Sequence, residues 1–174
     1  MKPFELLSDI AARSRRNATD LPQQIEAVTY WRGVGFQLGG KEYLADMGQV
    51  AEILQPPRVT KVPGVRNWVL GVANIRGRLV PVMDLAGMLG LVSKASWRSR
   101  RVLVVEQGDF LTGLLVDAVL GMQQFPVDTM QAVENAESAL APYVSVGFRR
   151  SDRLWGVFRI DELVQSPEFL QIAV

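Results

Sequence analysis

Four aspartates, Asp46, Asp84, Asp117 and Asp161, each follow a strand-like run. Converging from separate strand ends, they would make an oxygen-ligand site for Mg²⁺ or Ca²⁺. No two of them have the spacing of a metal-binding loop, and an Asp after a strand more often caps a helix or closes a turn. The structural role is the expected one, and no metal or other cofactor is expected. Two basic clusters offer a second chemistry. Arg98, Arg100 and Arg101 adjoin Trp97, and Arg149, Arg150 and Arg153 are flanked by Phe148 and Trp155. Small β-barrels bind nucleic acid through such cations beside stacked aromatics. Adjacent residues of a strand point to opposite faces, however. A solvated rim is the expected reading, with a nucleic-acid-binding small barrel as the alternative.

What the chain lacks narrows the chemistry further. Its 174 residues include no Cys and no His. Disulfides, thiol nucleophiles, Cys/His metal sites and imidazole general acid–base catalysis are therefore impossible. Gly71 and Gly77 are too far apart for a phosphate-cradling glycine motif. Enzymatic chemistry would have to rest on carboxylates, Lys, Tyr, Ser or a hard metal ion, and none is expected. The charges nearly cancel, 19 Lys+Arg against 18 Asp+Glu for a net of +1, so no single-sign field points to nucleic acid or a membrane. The longest stretch free of charge, residues 138–148, is broken by Pro142 and is far short of the ~20 apolar residues that span a bilayer. Residues 1–7 carry no apolar core of a secretory signal, and a cytoplasmic protein is expected.

The elements that must position these residues are mostly strands. Hydrophobic residues at 48% with charged residues at 21% describe a globular chain, of a length suited to one domain with an appendage. Residues 1–30 read as that appendage: Pro3, then Phe4, Leu7, Ile10 and Ala11 at helix-face spacing, Arg13, Arg15 and Arg16 near a helix end, and a linker at Asn17-Ala18-Thr19-Asp20-Leu21-Pro22. The helix is either a packed or frayed appendage or a docking element for a partner. From residue 31 to 174 the period is that of strands. Gly33 to Leu38 alternates into a Gly39-Gly40 hairpin and on to Glu42-Tyr43-Leu44-Ala45. Residues 49–54, 77–83, 101–106, 112–119, 143–148 and 154–160 are further runs. Pro81 places its run at an edge or a bulge. Residues 65–70 read as one helical turn, residues 85–89 as a short helix after Asp84, and residues 161–164 as another helical start. The longest loops are expected at 93–100 and 128–141. Seven or more short strands at such spacing predict a mainly β barrel or sandwich.

The most unusual segment is Pro63 to Leu85, PGVRNWVLGVANIRGRLVPVMDL. Asn74 and Gly77 both tolerate positive φ and suit a tight turn with Arg76 at its tip. An Arg beside so much apolar surface suits a protein–protein contact. Here the sequence resembles the CheW-like coupling proteins of bacterial chemosensory arrays. Their hallmark, G-[V/I]-x-N-L-R-G-x-x-[V/I]-P-[V/I]-x-D-L, appears as GVANIRGRLVPVMDL from Gly71 to Leu85, with Ile75 the conservative change. Glu42-Tyr43, Val50-Ala51-Glu52-Ile53 and the run from Gly113 to Val119 match three further elements in order. The Trp31-Arg32-Gly33-Val34-Gly35-Phe36 start and the N-terminal extension are similar to the PilI type, which serves type IV pilus twitching systems. Ala86 departs from the Arg that many members carry after Asp-Leu.

The resemblance implies a fold of two small five-stranded β-barrels around a shared apolar seam, with short helices. It implies a non-catalytic adaptor that couples methyl-accepting chemoreceptors to the CheW-like regulatory domain of a CheA-type histidine kinase, at membrane-associated arrays. Receptor contacts carry over to Val50, Glu52, Gly71, Arg76, Gly77, Val102 and Val119, with Asn74, Ile75, Pro81 and Asp84 as motif residues. Recognition would be of the helix-in-groove kind, and kinase contacts would use the strand edges of a barrel end. Glu52 and Arg76, opposite in charge, are expected to pair across the groove.

Overall fold

The computed structural model describes residues 26–174. Among them the chain forms β1 (Tyr30–Leu38), β2 (Lys41–Asp46), β3 (Val50–Leu54), β4 (Val69–Ile75), β5 (Arg78–Asp84), α1 (Leu85–Met88), β6 (Arg101–Gln107), β7 (Phe110–Val116) and β8 (Ala118–Pro126). A 3₁₀ turn (Val127–Thr129) leads to β9 (Met130–Ala132), β10 (Val146–Arg150), β11 (Arg153–Phe158), α2 (Ile160–Gln165) and α3 (Pro167–Leu170). The strands divide into a six-stranded sheet, β8-β1-β2-β11-β10-β9, and a five-stranded sheet, β3-β6-β7-β5-β4. The five-stranded sheet is one uninterrupted stretch, residues 50–116, inserted between β2 and β8 of the other. Of the N-terminal helix and linker expected at residues 1–30, residues 1–25 lie outside the described residues, residues 26–29 are irregular, and Tyr30 already belongs to β1.

Each sheet curls until its edges meet. After β3, Pro56-Pro57 leads the chain to Thr60, which exchanges two backbone hydrogen bonds with Val72 of β4 (2.8 and 2.9 Å). Opposite edges of the five-stranded sheet are thereby joined. In the six-stranded sheet only the turn at Val127–Thr129 separates the edges β8 and β9 along the chain. Arg150 of β10 reaches across to β8, donating to the Gln124 carbonyl (2.9 Å) with its guanidinium 4.2 Å over the Phe125 ring. The result is two small barrels, of five and six strands.

Strand periodicity sorts the side chains into three cores. On β6, Val102 and Val104 fill the five-stranded barrel with Val80, Val82 and Leu115. The alternate residues Leu103 and Val105 face the seam between barrels. That is why this strand reads as an unbroken apolar run and not as apolar–polar alternation. On β1, Val34, Phe36 and Leu38 join the same seam, while Trp31 turns into the six-stranded barrel with Leu44, Phe125, Phe148 and Trp155. Gly35 faces that second core, and a Cβ there would lie 3.0 Å from the Trp155 ring. Residues Ile160, Leu163 and Val164 of α2 and Phe169 of α3 close the seam at one end.

Five expectations need correction. The six-stranded barrel gains β9 within the stretch read as the loop 128–141, because Gln131 pairs with Gly147. Residues 65–70 are only partly the expected helical turn: Val65 bridges Ala173 and the Arg66 N–H bonds the Ile172 carbonyl (2.8 Å), one hydrogen-bonded turn closes from the Val69 N–H to the Arg66 carbonyl (3.0 Å), and Val69 and Leu70 already belong to β4. The run 112–119 is two strands that part at Asp117 and enter different sheets. Pro81 lies on an interior strand, since β5 pairs with both β4 and β7. Its partner Val72 spends its own N–H and C=O on Thr60, so Pro81 faces β4 at a position where no N–H is called for. On the β7 side the ladder begins only at Val82, and the Thr112 hydroxyl donates to the Pro81 carbonyl (3.1 Å). The fifth is Asn74, which stays in β4 without a positive φ.

The seam also holds a titratable group. Tyr43 is 6% exposed, packed on Phe36 with ring centroids 5.9 Å apart. Burial, then the negative charges of Glu137 and Glu42, push its phenol up to about 12. The unfolded phenol ionises near 10, so from there to about pH 12 the folded state holds the extra proton and stability falls as pH rises. Urea unfolding should therefore show a loss approaching about 2–3 kcal/mol across that window. The Tyr43→Phe variant should show a shallower fall, the remainder including Tyr143, which burial also pushes up.

Candidate functional site

Where the seam reaches the surface, Val34 of β1, Met47, and Val50, Ala51, Glu52 and Ile53 of β3 line a shallow groove between the barrels. Residues of both parities on β3 line it because the register shifts between Val50 and Glu52: Val50 pairs with Val105, and Glu52 with Val104. This β-bulge leaves Ala51 unpaired and twists the edge strand. The groove is mostly apolar, with one carboxylate.

That carboxylate has a partner. Arg76 Nη2 lies 3.0 Å from Glu52 Oε1, with the Arg76 side chain 81% exposed and that of Glu52 23% exposed. Arg76 and Gly77 form the two-residue loop between β4 and β5, with φ of 52° and 78°, the pattern of a type I′ hairpin turn. Asn74 does not take the positive φ expected of it. It stays in β4, and its Oδ1 accepts from the Gly77 N–H (2.9 Å). The Asn stabilises the turn by a side-chain bond, and Arg76 itself takes the left-handed conformation.

The other motif residues act from behind. Gly71 is buried at a bulge in β4, with φ of 143° and no room for a side chain: a Cβ would lie 2.8 Å from the Thr60 carbonyl carbon. Its glycine allows residues 58–60 to close against β4. Val102 is fully buried and Ile75 nearly so, both inside the five-stranded barrel. Val119 lies in the other sheet, opposite Phe36, packed against the seam. Thus Val50 and Glu52 line the groove and Arg76 stands at its rim. Gly71, Gly77 and Val102 shape its five-stranded wall, and Val119 belongs to the opposite wall. Val34, Met47, Ala51 and Ile53 line the groove without having been singled out; the alternation of β1 marked Val34 only as core.

The four aspartates serve local structure. Asp84 caps α1, its carboxylate accepting from the Gly87 N–H, with Arg100 3.7 Å away. Asp46 accepts from Gly48 (2.7 Å). Asp117 accepts from the Gly39 N–H (2.9 Å) and Ser93 Oγ (2.5 Å), and Asp161 lies in the first turn of α2. Ala86, where many family members carry Arg, is buried in the seam. The basic clusters are largely committed too. Arg101 donates to the carbonyls of Arg98 and Arg100, Arg150 lies over Phe125, and Arg153 pairs with Glu42. Phe148 is fully buried and Trp155 half-buried inside the barrel, so neither offers a stacking platform for bases.

Comparison with known proteins agrees with this architecture. The CheW-like domain family matches residues 32–168. The chain belongs to the CheW-like family. It is 50% identical to protein PilI of Pseudomonas aeruginosa over 173 residues, covering 99% of this chain and 97% of that protein. It is 29% identical to the chemotaxis protein CheW of Helicobacter pylori over 136 residues, 76% of this chain and 81% of that one. Scaffolding protein TtCheW of Thermoanaerobacter tengcongensis shares the fold, with a TM-score of 0.71 at 22% identity over 80% of this chain and 96% of that structure. The chain is a CheW-like scaffold and not an enzyme, and within the family it is of the PilI type.

The two motif glycines separate sterically. Gly77→Ala meets nothing within 4 Å and should cost only the left-handed backbone, about 1–2 kcal/mol. Gly71→Ala should cost more, about 2–4 kcal/mol, because strain adds to collision with the Thr60 backbone. Urea unfolding of the two variants side by side measures the difference.

Proposed function

We propose that the groove at the mouth of the seam receives the helical-hairpin tip of a methyl-accepting chemoreceptor, and that the chain couples this receptor to a CheA-type histidine kinase. The observation that carries the reading is the pairing of an apolar groove with a single, exposed ion pair at its rim. Apolar anchors supply affinity to an amphipathic helix, and the charges orient it. Val50 lines that surface, and Glu52 and Arg76 set its polarity. Gly71, Gly77, Val102 and Val119 contribute by holding the two walls in shape. The kinase would be met at a barrel end, where one barrel can pack against the like barrel of the kinase's regulatory domain. Similarity to the PilI type supports a role in a type IV pilus chemosensory system controlling twitching motility, in the cytoplasm at receptor arrays.

The test follows from the exposure of Arg76. A surface ion pair is worth about 0–1 kcal/mol to stability, so Arg76→Glu should leave the urea midpoint nearly unchanged. It should nevertheless abolish co-purification of the receptor, by setting two carboxylates together at the rim. The double exchange Arg76→Glu with Glu52→Arg restores opposite charges and should recover part of the groove's shape. Full receptor capture by Arg76→Glu would remove Arg76 from the site. Recovery of neither receptor nor kinase with the unmodified chain would count against the coupling role.

A further inference from the structure

A cavity of about 410 Å³ lies between the start of β2, the segment that joins β9 to β10, and β11. It shares no residue with the groove. Val133, Leu140 and Val144 of the joining segment and Leu154 of β11 make its apolar walls. Gly156 of β11 keeps it open on the inner side, since a Cβ there would lie 3.4 Å from the Tyr43 ring. Such a size and lining suit a small molecule held by a few polar groups.

Tyr43 supplies the polar group. Only 6% of this residue is exposed, yet among the described residues its hydroxyl has no hydrogen-bond partner. Tyr143, also buried, spends its own hydroxyl on Glu168 (3.2 Å). The Tyr43 oxygen is not walled in either. Among the described residues, the side-chain atoms both sealed and unpartnered are Arg100 Nε and Gln107 Oε1. The Tyr43 hydroxyl therefore opens onto the cavity that its residue lines. Buried polar atoms are as a rule hydrogen-bonded, so a hydroxyl left this way calls for an occupant with a matching atom.

Charge sets the occupant's chemistry. The four charged residues at the mouth cancel in pairs, Lys41 with Glu137 (2.8 Å) and Arg153 with Glu42. A cation would have to displace Lys41 or Arg153 from a carboxylate already held. Burial, then the charges of Glu137 and Glu42, push the phenol up to about 12. At neutral pH it is a protonated donor, and the same two carboxylates repel an anionic acceptor. An uncharged acceptor fits all of these conditions.

We infer that this cavity binds an uncharged, mostly apolar molecule whose carbonyl oxygen accepts from the Tyr43 hydroxyl. The site gives the scaffold a small-molecule input separate from its protein partners, and it stands whatever occupies the groove.

Three probes of one shape test the inference: benzamide is uncharged, benzoate an anion and benzylamine a cation. Added to the full chain at neutral pH, benzamide should shift the methyl signals of Leu140, Val144 and Leu154, saturating in the millimolar range expected of so small a ligand. Benzoate and benzylamine should bind several-fold more weakly. Tyr43→Phe keeps the ring, loses the donor and should weaken benzamide about fivefold. Ala136→Leu, on the cavity wall, should block binding by filling the space. A cooperative urea transition in each variant verifies the fold. Unweakened binding by Tyr43→Phe would remove the hydroxyl from the site. Tighter binding of benzoate or benzylamine would overturn the ligand class. Shifts confined to Val34 and Val50 of the groove, or no shift with any probe, would overturn the site itself.

Discussion

Burial of both faces of a few strands is the constraint on which the other features depend. A strand of β6 or β7 that sends Val102, Val104 and Leu115 into one barrel must send Leu103, Val105, Leu114 and Val116 somewhere dry. The second barrel supplies that place, and β1 and β2 answer with Val34, Phe36, Leu38, Tyr43 and Ala45. At roughly 1.5–3 kcal/mol for each fully buried large apolar side chain, this seam outweighs any single polar contact in the molecule. Neither barrel can keep its two-sided strands out of water without the other. The groove is a consequence, for it is where the seam meets solvent.

The relative placement of the barrels depends on a narrower device. The chain passes from β7 of one barrel to β8 of the other at Asp117, which is 6% exposed. Its carboxylate accepts from Gly39 of the β1–β2 hairpin and from Ser93 of the loop before β6. Its own N–H donates to the Gln37 carbonyl (3.0 Å), and its carbonyl accepts from Ser99 Oγ (3.2 Å). One corner thus ties the crossing strand, a hairpin of the six-stranded barrel and the long loop of the five-stranded one. A buried carboxylate with each contact satisfied locks geometry that apolar packing alone leaves adjustable.

Legibility in the sequence followed how local each feature is. The Gly39-Gly40 hairpin, the tight turn that carries Arg76 and the Asp84 cap are decided within a few residues and were readable there, although β4 ahead of that turn was not, and the left-handed residues are Arg76 and Gly77 rather than Asn74. The pairing of Glu52 with Arg76 was also readable, because charge and family motif pointed to the same two residues. What could not be read was non-local. β9 exists because Gly147 lies beside Gln131, and Val65 and Arg66 leave the expected turn because the chain's last residues pair with them. The rule that puts Pro at edges failed at Pro81 because it counts neighbours, whereas the missing N–H matters only on the side where the ladder needs a donor. The run 112–119 was continuous in hydrophobicity because residues 112–116 of β7 are buried and the start of β8 is partly buried, so the corner between them left no polar mark except Asp117.

The strength of the ion pair and its position at the rim have different sources. Arg76 is mostly in water, so the pair contributes little to folding, yet its geometry is not left to chance. The bulge at Ala51 aims Glu52, and the type I′ turn holds Arg76 in a left-handed conformation that the Asn74 side chain and Gly77 stabilise. Closure of the barrel through Thr60 and Val72, which only Gly71 permits, brings the two edge strands close enough for the charges to meet. Backbone geometry fixes the guanidinium's origin, while its exposed end stays free to exchange one carboxylate for another. A scaffold that performs no bond chemistry needs that combination: positions set by the fold, and contact energies low enough to be traded for those of a partner.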